Sequence, residues 1–134
     1  MSYEFLDHTS EVTVRLRAAS FADLVAEAGR AMAELMLNGE DRESVDEWRE
    51  IQVIGSERGA LLVEWMNELI YLAETEQWAP VDLEVTEVEP LQLRIRARGV
   101  SLEQPFASVK AATLHGLLVR EEPEGMEAEV TLDV

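Results

Sequence analysis

Strict alternation at the end of the chain sets the first constraint on its fold. From Glu127 to Val134 the odd positions are Glu127, Glu129, Thr131 and Asp133, and the even ones Ala128, Val130, Leu132 and Val134. Successive side chains of a strand point to opposite faces, so this segment buries one face and wets the other. The pattern recurs at Val12–Ala18, where Val12, Val14, Leu16 and Ala18 oppose Thr13, Arg15 and Arg17. It recurs again at Leu91–Gly99, where Leu91, Leu93, Ile95 and Ala97 are expected inward and Arg94, Arg96 and Arg98 outward. Strands with one polar face suit antiparallel sheets that leave one side open to water. Tyr3–Asp7, Arg49–Gly55, Val81–Val88 and Lys110–Arg120 are expected to add the remaining strands, with turns at Glu89-Pro90 and around Pro123 and Gly125.

Two segments follow the helical period instead. Phe21, Leu24, Val25, Ala28, Met32, Leu35 and Met36 share one face, behind Ser20 and Asp23 at capping-box spacing and before Asn38-Gly39. A second helix is expected over Glu57–Glu76, with Leu61, Leu62, Trp65, Met66, Leu69, Leu72 and Ala73 as its stripe and Glu64, Asn67, Glu68 and Tyr71 off centre. An acidic connection, Glu40–Glu47, is expected to be exposed, and residues 100–109 to form a loop. The expected class is α+β in two layers, a mostly antiparallel sheet with two helices packed on one face. At 134 residues the chain fits one domain, residues 1–134.

The charge narrows the function. With 28 acidic against 11 basic residues the formal net charge is −17, which repels a phosphate backbone and an anionic membrane surface. Divalent cations and basic proteins are the suitable partners. There is no cysteine, hence no disulfide or thiolate chemistry. No apolar run is long enough to span a bilayer and no signal-peptide pattern opens the chain, so the cytoplasm is the expected location.

Three places carry polar chemistry. Asp7-His8-Thr9-Ser10-Glu11 offers hard oxygen ligands and one imidazole between two apolar runs; spacing alone favours a polar turn whose hydroxyls bond local backbone. Asp133 and the carboxylate expected at Val134 sit on the end of a well-formed strand, as a cation-facing pair or as simply solvated acids. Lys110 and His115 flank Ala111-Ala112-Thr113-Leu114, as a phosphate or carboxylate contact and a neutral-pH acid–base group, or as an exposed lysine and a hydrogen-bonded histidine. The arginines at 15, 17, 94, 96 and 98 would form one anion-binding patch if their strands were neighbours, or would pair with acids across strands. No phosphate loop, nucleophile elbow or zinc spacing is present.

Four segments together resemble the archease family. Tyr3–Val12 is similar to its opening Tyr-Glu-x-x-Asp-His-Thr-Ala-Asp-Val motif, and Trp65-Met66-Asn67-Glu68-Leu69-Ile70-Tyr71-Leu72 to its second-helix motif. Val109–His115 is similar to Val-Lys-Ala-x-Thr-Tyr-His, and Leu132-Asp133-Val134 to the family's ending. Glu11 stands for the usual aspartate, a displacement of the carboxylate by about 1.5 Å that calcium's flexible geometry tolerates. Leu114 stands for the usual tyrosine, and the loop over residues 100–108 is shorter than the family's. The resemblance implies a non-catalytic activator of an RtcB-type RNA ligase, promoting its guanylylation and multiple turnover in tRNA splicing and RNA repair. It implies a cation, Ca2+ with Mg2+ or Mn2+ as substitutes, on Glu11, Asp133 and Val134, with Asp7, His8, Lys110 and His115 as accessory or partner-facing residues. The competing expectations are a free-standing metal-dependent phosphohydrolase on the same carboxylates and a chaperone or modulator of tRNA-modifying enzymes.

Overall fold

Seven strands and two helices follow one another as β1 (Ser2–Asp7), β2 (Glu11–Ala18), α1 (Phe21–Met36), β3 (Arg49–Ile54), α2 (Arg58–Thr75), β4 (Trp78–Glu89), β5 (Gln92–Ser101), β6 (Ala111–Glu122) and β7 (Gly125–Asp133). They are seen in a computed structural model that describes residues 1–7, 10–44 and 47–134, the Asp7 side chain excepted. The class is α+β and every strand pairing is antiparallel. The strands do not form one sheet. They divide into a four-stranded sheet A in the order β1-β2-β7-β6 and a three-stranded sheet B in the order β3-β5-β4.

One apolar interior serves both sheets. Val14 and Leu16 of β2, Ala128, Val130 and Leu132 of β7, and Leu93, Ile95 and Ala97 of β5 are fully buried beneath the helices. Helix α1 packs on β2 and β4, and α2 on β6, β4 and β3, so the two helices tie sheet A to sheet B. Trp65 and Met66 are fully buried, as their place in the stripe requires, and the Trp65 indole donates to the Val25 carbonyl at 2.9 Å.

The helix ends follow local chemistry. Ser20 Oγ accepts from the Asp23 N–H at 3.2 Å, and Glu57 does the same for Ala60 at 3.0 Å. Helix α1 closes where Asn38 and Gly39 turn left-handed, with φ of 54° and 78°. Two strand limits differ from expectation. β4 starts at Trp78, because Trp78, Ala79 and Pro80 are all buried and show no alternation. The β4–β5 turn falls on Pro90-Leu91, which leaves Leu91 56% exposed rather than inward.

The arginine patch does not form. Strands β2 and β5 lie in different sheets, and each arginine meets acids on its own sheet. Arg15 pairs with Glu4 and Glu129, both at 3.0 Å, and Arg17 with Glu127 at 3.3 Å. On sheet B, Arg94 meets Glu50 and Glu87, Arg96 meets Glu84, and Arg98 meets Asp82. The pairs follow register: Arg15 lies opposite both Glu4 and Glu129, and Arg98 opposite Asp82. The Trp48 ring takes the guanidinium groups of Arg96 and Arg98 at 4.7 and 4.6 Å. The Ser44 hydroxyl and Arg98 both donate to Asp82 at 2.7 Å, and these bonds hold its carboxyl below its ordinary 3.8.

Candidate functional site

Sheet A brings the two ends of the sequence together. β2 and β7 run antiparallel with Glu11 opposite Asp133, Val12 opposite Leu132 and Thr13 opposite Thr131. Directly opposed residues share a face. Val14, Leu16 and Ala18 of β2 are buried, as are Met126, Ala128, Val130 and Leu132 of β7; Glu11 and Asp133 therefore project together from the opposite, outer face. Glu11 is half-buried and Asp133 exposed. The ladder continues one step past the strand, because the Val134 N–H donates to the Ser10 carbonyl at 3.3 Å.

The other flank of Asp133 is held by the segment before β6. The Lys110 N–H donates to the Asp133 carbonyl at 2.8 Å, and Ala111 stands opposite Asp133 in register. One residue on, Ala112 is clasped by α2. The Asn67 amide donates to the Ala112 carbonyl at 3.0 Å, and its Oδ1 accepts from the Ala112 N–H at 2.7 Å. A side chain thus supplies both bonds that a further strand would supply to this edge. Asn67, Ala112, Asp133 and Glu11 form one continuous series of contacts across α2, β6, β7 and β2. All four segments that carry the family resemblance contribute to it.

The expected site residues fall into three groups. Glu11, Asp133 and Val134 come together at one end of sheet A. Lys110 adjoins them through its main chain, and its side chain is exposed. His115 is carried away: between Thr113 and Leu118 the β6 register slips, taking residues 114–117 out of the ladder with β7. Gly116 turns through φ of 67° there, Leu114 is 61% exposed, and the His115 N–H donates to Thr113 Oγ1 at 3.2 Å. His8 and the side chain of Asp7 lie outside the described residues; the Asp7 backbone pairs with Val12. Asn67 was not expected here. Its sequence signals are its place in the second-helix motif and its amide on the margin of a helix stripe that is otherwise apolar.

The donor set at this end is of hard oxygen: two carboxylates and the main-chain oxygens of Val134. Such donors fit Ca2+ or Mg2+ and not a soft metal. Among the described residues no three His, Asp or Glu side chains converge, so carboxylates alone do not fill the six to eight positions calcium takes.

Comparison with known proteins bears on the family and the fold. The sequence model of the Archease protein family matches residues 3–134. Protein archease of Archaeoglobus fulgidus is 30% identical over 140 residues, covering 100% of each chain. Protein archease-like of Drosophila melanogaster is 28% identical over 137 residues, with 97% of this chain and 87% of that one covered. In fold, the solution structure of Methanobacterium thermoautotrophicum protein 1598 gives a TM-score of 0.76 at 23% identity, covering 98% of both chains. The crystal structure of an archease of Thermotoga maritima, described as a possible chaperone, gives 0.63 at 21% identity, covering 96% of this chain and 94% of that one.

Proposed function

The chain belongs to the archease family, and from that premise we propose that it is an accessory protein activating an RtcB-type RNA ligase in tRNA splicing and RNA repair. It promotes guanylylation and repeated turnover of the ligase and does no chemistry alone. The observation that carries this reading is the register of β2 on β7, with Glu11 facing Asp133 and Val134 bonded back to Ser10. Glu11, Asp133 and the main-chain oxygens of Val134 are the groups that would hold a divalent cation. Bound there, the cation would neutralise phosphate charge while GTP is attacked. The chain's own part is positional. The ladder fixes the two carboxylates side by side, and the Lys110 and Asn67 contacts fix the strand that carries one of them. Unfilled coordination positions are left to water or to groups of the ligase.

The test is a guanylylation assay with the ligase of the same organism. Wild-type protein raises the yield and the number of turnovers; Glu11→Ala and Asp133→Ala each abolish the stimulation, with circular dichroism and the melting temperature in the absence of divalent cation retained. Normal stimulation by both variants sinks the proposed site. Turnover of a phosphate ester by this chain without ligase would instead favour a free-standing hydrolase.

A further inference from the structure

Beneath the two carboxylates, the inner faces of the same strand ends are not closed over. Val12, Leu132 and Val134 form one wall of a cup, and Leu35 of α1 with Phe106 and Val109 form the other. Its volume is about 230 Å³, below the roughly 300–1,000 Å³ of small-molecule sites and sufficient for one large apolar side chain. Val12 and Leu35 are only half-buried and Val134 is 42% exposed, so the apolar lining is open at its mouth. Because strand side chains alternate, Glu11 and Asp133 are the immediate neighbours of residues that line the cup, on the other side of the sheet. A polar cleft of about 610 Å³ shares Asn38, Phe106 and Ser108 with the cup and carries Glu40 and Glu103. Glu40 and Glu103 therefore border the approach to the cup from the cleft, and Glu11 and Asp133 stand at the same strand ends on the sheet's other face. Two cations lie close by: Arg42 in the cleft, which donates to the Ser101 carbonyl at 2.9 Å, and Lys110.

Charge selects the occupant. A nucleotide, a nucleic acid or an anionic lipid headgroup would be repelled by this rim, and a second copy of a chain with net charge −17 would set acid against acid. We propose that the cup receives a single large apolar side chain carried on a basic stretch of a partner protein, anchoring that partner beside Glu11 and Asp133. The anchor gives affinity, and the carboxylates give the steering and the cation. The choice of the ligase as that partner, and the cation, rest on the function proposed above.

The experiment separates binding from activation. Ser108→Trp, at an exposed position on the rim, fills the cup, and Leu35→Arg, at a half-buried one, places a like charge against the basic segment; Ser108→Ala is the control. Ligase guanylylation is measured as a function of the concentration of each variant, and binding to the purified ligase by calorimetry. Both variants should raise the half-maximal concentration and the Kd about tenfold, the loss expected for one buried apolar anchor. The stimulation reached at saturation should stay near wild type, whereas Glu11→Ala lowers that plateau. Folded variants with unchanged half-maximal concentration and Kd overturn the cup while leaving the proposed function standing. Sedimentation showing a wild-type dimer that Ser108→Trp dissociates would assign the cup to a second copy and overturn it as well. If wild type neither binds nor stimulates the ligase, the proposed function fails first and this inference with it.

Discussion

Asn67 does at the scale of one side chain what a neighbouring strand would do for an edge. Its two bonds to Ala112 satisfy a donor and an acceptor that are half-buried, and losing both leaves each costly to desolvate. Asn67→Ala should cost about 1–3 kcal/mol in a denaturant melt, and it should loosen Asp133, which the adjacent Lys110 and Ala111 hold. Tyr3 reports on a different corner. Its hydroxyl donates to Glu34 at 2.7 Å, and burial first, then that bond and the carboxylate's charge, push its pKa from 10.0 to about 12. A folded pKa above the unfolded one gives stability that is complete below pH 10.0 and is lost as pH rises toward 12. Tyr3→Phe should therefore flatten the stability profile in that alkaline window, and a tyrosinate absorbance step near its upper end should disappear. Glu11 and Asp133 show how far single residues could be read in advance. Composition and spacing marked each as an acid at a strand end, but nothing in either segment said that they meet. The family resemblance proposed the pair, and the register of β2 on β7 sets them opposite one another.

At the scale of elements, alternation was a reliable guide to faces and a poor one to partners. It located β2, β5 and β7 to within a residue or two, since each has one dry face and one wet one. It continued one residue too far at Leu91, where an apolar side chain happens to sit in a turn. It missed the start of β4, where Trp78, Ala79 and Pro80 are buried without alternating. It also carried no information on which strands adjoin, so the division into two sheets was not legible. Nor was the slip in β6, because Leu114-His115-Gly116-Leu117 has no pattern that separates a bulge from a ladder. Backbone crowding gives a sharp test of the β4–β5 pairing. Pro80 stands opposite Gly99, and a Cβ on Gly99 would overlap the Ala79 carbonyl oxygen, a main-chain atom that cannot turn aside. Gly99→Ala should lower stability by about 1–3 kcal/mol or prevent folding, read from a thermal melt.

For the whole molecule, charge is the dominant quantity. A net charge of −17 makes the native state self-repelling, and ordinary salt should relieve part of that strain by screening. A divalent cation bound at the proposed site would add a further contribution that screening cannot imitate, about 2.7 kcal/mol at a concentration one hundred times its Kd. Calcium should thus raise the melting temperature above that in sodium chloride of equal ionic strength, saturably, and Asp133→Ala should erase the excess. The same scale gives the Asn67 clasp a second meaning. β6 is an outer strand of sheet A, and a bare outer strand invites another chain to continue the ladder. The Ala112 amide and carbonyl are taken by α2, and residues 114–117 break the regular spacing just beyond. Along the described residues of β6, a foreign strand therefore finds no uninterrupted run of free groups to copy at this end of the sheet. The β6 flank can stay exposed there without templating another chain's strand.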